Sequence, residues 1–310
     1  MRSCRVRVPA SSANLGPGFD ILAVAVGLYL EVEAHAASGE PRVVVGPDLH
    51  GGGDLVVEGV RRVAAAAGRP VPGCRLHVRS DIPIARGLGS SAAALIAGLL
   101  VGNHLLGDPL DRAGVYRLAC EAEGHGDNVA AALFGGVALA VPTADGIHYQ
   151  PLTLGRPLRA VVFVPEQTAF TCEARAVVPD TVARVDAVAN AARCALLVLA
   201  LTGGRLELLA EAMDDRLHQP YRTRIFPYLP TLIAAARAAG AAGACLSGAG
   251  PSVLALAEPD RAAAVRVGLA DAAAAIGIAG ETLDLPIEPR GAEVVPAAGE
   301  PASEALAPDR

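Results

Sequence analysis

Period-two patterning dominates the first ninety residues. Apolar and polar positions alternate through Arg5-Val6-Arg7-Val8, and β-branched or alternating runs bounded by Gly and Pro follow. Strands are therefore predicted over 5–9, 21–34, 42–45 and 74–79, with a change to helical spacing over 55–67. Ser90 or Ser91 is placed to cap a helix running to about 106, which Asp108-Pro109 closes, and a second helix is expected over 111–123. Gly135-Gly136 opens an apolar strand at 137–141. Turn residues gather over 145–156, which predicts two domains, 1–150 and 151–290. The second half should then hold a strand at 160–164, helices at 182–201, 205–213 and 229–239, a strand-turn unit at 244–257 and a helix at 261–275. The Pro-, Ala- and Glu-rich stretch 291–310 reads as a disordered tail.

Length and composition agree with that division. At 310 residues, 52% hydrophobic and 19% charged, the chain has apolar material for two cores. It contains no lysine, so all 26 basic residues are arginines. A Walker loop and a protein kinase both need a lysine on the phosphates, and both are excluded by that count. A formal net charge of -6 and dispersed arginines give no footprint for nucleic acid. The cysteines Cys4, Cys74, Cys120, Cys172, Cys194 and Cys245 show no CxxC spacing. They are expected to be free, buried thiols in a reducing cytoplasm. Arg2, Arg5 and Arg7 precede an apolar run from Ile21, but the strand-like alternation and a polar Gly/Pro segment between them argue against a signal peptide. The apolar stretch 92–106 is interrupted by Asn103 and His104 and is too short for a membrane span, so no membrane association is expected.

The chemistry concentrates in glycine-rich turns. Pro83-Ile84-Ala85-Arg86-Gly87-Leu88-Gly89-Ser90-Ser91-Ala92-Ala93 runs glycines and hydroxyls directly into a helix-forming segment. Gly87 and Gly89 let backbone N–H groups turn inward, and the helix adds its positive N-terminal end, so the loop is suited to hold a polyphosphate without a lysine. Two further turns share this style. Pro9-Ala10-Ser11-Ser12-Ala13-Asn14-Leu15-Gly16-Pro17-Gly18-Phe19-Asp20 lies between two predicted strands, and Leu246-Ser247-Gly248-Ala249-Gly250-Pro251-Ser252 lies between two more.

In order, these three segments resemble the three motifs of the GHMP small-molecule kinases. Within that superfamily the resemblance is to the homoserine kinases and spans most of residues 4–285. It is carried by the opening loop, by Glu121-Ala122-Glu123-Gly124-His125-Gly126-Asp127-Asn128-Val129, by Thr171-Cys172-Glu173-Ala174-Arg175 and by Asp215-Arg216-Leu217-His218-Gln219-Pro220-Tyr221-Arg222. One departure is Gly126, where the family commonly has a proline. The resemblance implies an α+β fold, the GHMP kinase fold: an N-terminal domain like ribosomal protein S5 domain 2 and a C-terminal ferredoxin-like α/β sandwich, with the active site between them. It also implies ATP as phosphoryl donor, L-homoserine as small-molecule substrate in threonine biosynthesis, and a homodimer.

Residue types fit a zwitterionic alcohol. Asp20 with Asn14 suits an ammonium, while Arg175 and Arg222 suit a carboxylate because a guanidinium forks onto it bidentately. His125 adds a donor, and Asn128 is placed to orient the attacking hydroxyl. The resemblance assigns these parts residue by residue, and extends the substrate set to Thr171 and Gly248. Arg224 competes with Arg222 for the second arginine, and motif register favours Arg222. Cys172 has no activating partner and is read as packing. The reaction calls for Mg²⁺, with Glu123 and Ser90 as ligands and Glu121 as rival to Glu123. Asp127 is the nearby carboxylate that could accept the hydroxyl proton. Asp54-Leu55-Val56 is where an adenine contact is sought. Alternatives left open are another small amino alcohol as acceptor, and a non-catalytic sensor on the same fold.

Overall fold

A computed structural model describes residues 3–44 and 53–296. The N-terminal part is β1 (Ser3–Asn14), β2 (Gly18–Ala36), β3 (Arg42–Val43), α1 (Gly53–Ala66), β4 (Cys74–Ser80), α2 (Ser90–Leu105), α3 (Arg112–Glu123), α4 (Asp127–Phe134), β5 (Val137–Thr143) and β6 (Gly146–Leu152). The C-terminal part is β7 (Arg159–Pro165), α5 (Thr171–Ala176), α6 (Arg184–Gly203), a 3-10 turn at Leu206–Leu208, α7 (Leu209–Ala212), α8 (Gln219–Arg222), α9 (Leu229–Ala238), β8 (Gly243–Leu246), β9 (Val253–Ala257), α10 (Ala262–Ala275), β10 (Gly280–Pro286) and β11 (Glu293–Pro296).

The first sheet runs β11-β1-β2-β4-β3, and β5 with β6 branches from β2. Only β3 and β4 pair in parallel among the described strands of this sheet. Strand β2 serves two neighbours because it is long: Leu30–Ala36 pairs with β4, and 22–24 pairs with β5. Helix α2 crosses this sheet almost wholly buried, as its apolar residues on every side require. The second sheet has the antiparallel order β10-β7-β9-β8, with α9 and α10 packed on it. Its chain path, β7, helix, β8, β9, helix, β10, is the split β-α-β plan of a ferredoxin-like domain.

Three differences from the patterning have physical reasons. Residues 146–152, expected to be a boundary turn, form β6, an edge strand with no buried side chain and hence little hydrophobic signal. Residues 291–296, expected to begin a disordered tail, include β11, which pairs with β1 from Cys4↔Pro296 to Arg7↔Glu293. The C-terminal chain thus returns to the N-terminal sheet, so the division at 150 is not the end of the first sheet. The rest of the tail expectation, 297–310, lies outside the described residues, as does the side chain of Asp54. Third, Cys172 is exposed at α5, and Cys194 is half-buried, whereas Cys4, Cys74, Cys120 and Cys245 are buried as expected. Among the described residues, α6 is the one helix long and apolar enough, by length and composition, to cross a membrane; Val185, Val188 and Leu199 on it are exposed.

Candidate active site

The three glycine-rich turns meet at the seam between the two sheets. Gly87 and Gly89 both take left-handed backbone angles, φ 74° and 69°. A Cβ on Gly87 would lie 2.2 Å from the Ser247 carbonyl oxygen, and one on Gly89 2.3 Å from Ser11 Oγ, so only glycine lets these loops approach. Gly89 also occupies the N-cap of α2, where no side chain caps the helix. The expected serine cap is therefore absent: Ser90 is already the first helical residue, and the first-turn N–H groups have no side-chain cap. A hydroxyl chain ties the turns together. Ser247 Oγ donates to the Gly87 carbonyl at 2.7 Å, so Ser12 Oγ must donate to Ser247 Oγ, also at 2.7 Å.

Between the loops lies a cavity of about 380 Å³. Ala85, Gly87, Gly89, Ser90 and Ser91 line one end. Ile84 instead lines an adjoining apolar hollow of about 260 Å³ with Leu30, Leu55 and Phe170. Leu55 and Thr171 reach both spaces, whereas Val56 is buried in the core. Leu88, Ala92 and Ala93 are buried beneath the loop, and Pro83 lies outside both spaces. Arg86 turns away from the cavity and donates to the carbonyls of Ile84, Pro165 and Glu166, fastening the loop to the end of β7.

At the same end, Glu123 accepts from Ser91 Oγ at 3.2 Å. The serine joined to this carboxylate is thus Ser91, while Ser90 lines the wall beside it. Glu121 is exposed and outside the cavity, which separates it from Glu123. Burial raises the Glu123 carboxyl above its ordinary value, against the opposing pull of His125 and Ser91. Among the described residues no group of three or more His, Cys, Asp or Glu could hold a metal ion, so a cation here needs ligand oxygens as well.

The opposite end is made of charges. The β1–β2 connection holds Asn14, Leu15 and Asp20 at positive φ, 72°, 48° and 61°, a region that Asn and Asp tolerate but that is costly for leucine. Asn14 braces the turn: its Oδ1 accepts the Asp20 backbone N–H at 3.1 Å and its Nδ2 donates to the Gly248 carbonyl at 2.9 Å. One amide N–H and the amide oxygen serve this frame, and Asn14 also lines the cavity. Asp20 faces Arg175, which donates to it bidentately at 3.0 and 2.7 Å. The anion and cation expected to take opposite ends of a ligand are therefore bonded to each other, and this bond outweighs burial in raising the Arg175 pKa.

Arg222 is 1% exposed yet reaches the same space. Its Nε donates to the Ala174 carbonyl at 3.1 Å, and Nη1 meets Nδ1 of His218 and the Gly248 carbonyl, both at 3.0 Å. Burial, with Arg175 close by, pushes its pKa down to about 10. Arg224 is exposed against the Tyr221 ring, so geometry sides with Arg222. The loop before α4 brings His125 Nδ1 to Asp127 Oδ1 at 2.7 Å, where the Asn128 backbone N–H also donates at 2.8 Å. Burial opposes a charged His125, but the bond to Asp127 and the nearby Asp127, Glu123 and Asp20 carboxylates win, and its pKa is raised. Asn128 Oδ1 accepts from Ser11 Oγ at 2.8 Å.

Sequence reasoning overlooked the framework beneath these groups: Ser11, Ser12, Phe19, Asp215, His218 and Ser247. All lie inside segments already singled out. Nothing in their types distinguishes a buried strut from an ordinary loop residue, and only the long-range contacts reveal them.

Comparison with known proteins covers nearly the whole chain. Residues 54–136 match the GHMP kinases N terminal domain and 195–275 the GHMP kinases C terminal family. A protein of Deinococcus radiodurans named homoserine kinase is 41% identical over 298 residues, covering 94% of this chain and 97% of its own. One of the same name from Thermus thermophilus is 44% identical over 263 residues, 84% of this chain and 89% of its own. The crystal structure of homoserine kinase from Cytophaga hutchinsonii superposes with a TM-score of 0.86 at 28% identity, covering 95% of this chain and 98% of that one. A Leishmania major mevalonate kinase (19% identical, TM-score 0.68) shares the fold.

Proposed function

Because this chain belongs to the GHMP kinases, in their homoserine kinase branch, we propose that it transfers the γ-phosphoryl group of ATP to the side-chain hydroxyl of L-homoserine, giving O-phospho-L-homoserine for threonine biosynthesis. The observation that carries this reading is one cavity with two unlike ends, a glycine-and-hydroxyl end at a helix N-terminus and an end lined by Asp20, His125, Arg175 and Arg222. A phosphate fits the first, and an amino acid's ammonium and carboxylate fit the second.

The phosphates of ATP lie on the backbone N–H groups of 87–91 and the start of α2, and the base enters the apolar hollow beside Leu55 and Ile84. Homoserine takes its carboxylate to Arg222 and Arg175 and its ammonium to Asp20, with Thr171 at the mouth and His125 as a further donor. Asn128, whose Oδ1 is held by Ser11, turns its Nδ2 to the reacting hydroxyl. Asp127 has Oδ1 engaged by His125 and by the Asn128 backbone, so it acts by fixing both; the loose transition state of phosphoryl transfer needs no strong base.

The donor set fits Mg²⁺. Glu123 is a partly buried carboxylate with no arginine bonded to it among the described residues, joined to the Ser91 hydroxyl, and such oxygens suit a hard cation that shares the phosphates. Glu123 and Ser91, in place of Ser90, would hold the ion, which supplies charge neutralisation on the β- and γ-phosphates. Free thiols fit a cytoplasmic enzyme. A homodimer is supported by the exposed Val185, Val188 and Leu199 on α6, and sedimentation of the pure chain measures it. The activity itself is tested by ADP release with Mg²⁺ and a panel of hydroxy amino acids. Homoserine should head the panel; no ADP with any member would sink the kinase reading, and a preference for another alcohol would replace the substrate alone.

A further inference from the structure

His218 is fully buried on the loop entering α8, and each of its ring nitrogens has a hydrogen-bond partner of fixed chemical character. Nε2 lies 2.8 Å from the Gly16 carbonyl oxygen, which can only accept, so Nε2 carries the proton. Nδ1 lies 3.0 Å from Nη1 of Arg222, which can only donate, so Nδ1 carries a lone pair. The ring is therefore neutral and in one tautomer.

The balance of the groups around the ring gives that state. Asp215 Oδ2 stands 3.5 Å from Nε2 and favours a charged ring, but its oxygens already accept the backbone N–H groups of Leu217, His218 and Gln219. Arg222 on the other side opposes a second positive charge, Asp20 is a weaker attraction, and Phe19 covers the ring face at 5.2 Å. Burial is the largest influence and holds the pKa below its ordinary value. A proton on Nδ1 would set donor against donor and cation against cation at the Arg222 contact.

The consequence falls on Arg222. Of the five N–H groups of a guanidinium, Nε spends one on Ala174 and Nη1 spends two, on Gly248 and on His218. The two on Nη2 are left. We propose that His218 is a positioning residue: its unprotonated Nδ1 is the acceptor that turns the Arg222 fork so that Nη2 faces the carboxylate of the acceptor substrate. This rests on the homoserine kinase reading for the identity of that carboxylate, but not for the aim of the guanidinium.

The test splits the two ring nitrogens. In His218→Asn the carboxamide oxygen can replace Nδ1 as acceptor for Arg222; in His218→Gln the amide reaches towards Gly16 and the acceptor is lost. Homoserine KM should rise at least about tenfold in His218→Gln and stay within about threefold in His218→Asn, with ATP KM within about twofold in both. Equal losses in the two variants, or ATP and homoserine KM rising together, would overturn the proposal and leave His218 a mere packing residue. Ring ¹⁵N NMR of the wild-type protein needs neither a variant nor turnover. It should show the neutral Nε2–H tautomer throughout pH 6–8, and a Nδ1–H tautomer or an imidazolium at pH 7 would refute the proposal even if both variants fail to fold. Absence of homoserine turnover by the wild type, with the ring tautomer as described, would instead remove the substrate reading and leave the positioning of Arg222 standing.

Discussion

The two ends of the cavity are built on opposite principles. The phosphate end is mostly backbone: glycines, two serines and a helix start, drawn from consecutive residues. The acceptor end is side chains from four separate segments, around Asp20, His125, Arg175 and Arg222, whose charges are already bonded to the protein. Backbone N–H groups at a helix N-terminus are suited to a polyphosphate. The charged groups of the other end each have a partner within the protein, which limits the cost of withdrawing them from water.

That contrast can be broken from either side. Arg222→Leu should have the largest effect, lowering kcat/KM for homoserine about 10²- to 10³-fold, because the change leaves His218 Nδ1 without its donor and removes the charge-assisted bonds to the Ala174 and Gly248 carbonyls. ATP affinity, read by titration without acceptor, should change less than about threefold; an equal loss of both would mean that the ends are not separable. Gly87→Ala tests the other end. Its Cβ meets the Ser247 carbonyl and its backbone is left-handed, so thermal unfolding should report a loss of about 2–4 kcal/mol, with ATP binding weakened along with it. Unchanged stability and ATP affinity would show that the loop yields easily.

The smallest effect concerns His125. Its pKa is raised in the folded chain, so its charged form contributes stability in full below the unfolded value near 6.5, and that contribution fades as pH rises through the folded pKa. The stability gap between wild type and His125→Gln should therefore narrow from pH 6 to pH 9, by roughly 1 kcal/mol or less. A gap that widens over this range would reverse the assignment of Asp127 and Glu123 as the groups that favour its charge.

The same contrast explains what could be read beforehand. The strands β1, β2 and β4 and the helices α1, α2, α3, α6 and α9 carry strong periodicity, and their expected spans differ from the observed ones mainly at the ends. The phosphate loop is local, so its residues declare themselves by adjacency. Edge strands escaped notice because they bury little: β6 has no buried side chain, and Val294 and Val295 of β11 are exposed within a tail-like composition. The short helices α4, α5 and α8 hold eight, six and four residues, too few for a helical period to register. Four motif segments contributed the charged residues that the structure gathers at one end of the cavity, but did not reveal their mutual bonding. That Asp20 would meet Arg175, or that Asn14 would donate to the Gly248 carbonyl, depends on contacts spanning 155 and 234 positions.

The Asp20–Arg175 bond gives the pocket a net-neutral pair of its own, about a third exposed on each side at 34% and 40%. On the proposed function, an arriving molecule is admitted by exchange of partners. A zwitterion hands each member of the pair a replacement, so no charge is stranded at any stage. A plain alcohol replaces neither, and a simple acid would satisfy Arg175 while leaving Asp20 bare. The pair is in effect an imprint of the guest, held in place by the host, and discrimination among small alcohols begins with which of them can complete the swap.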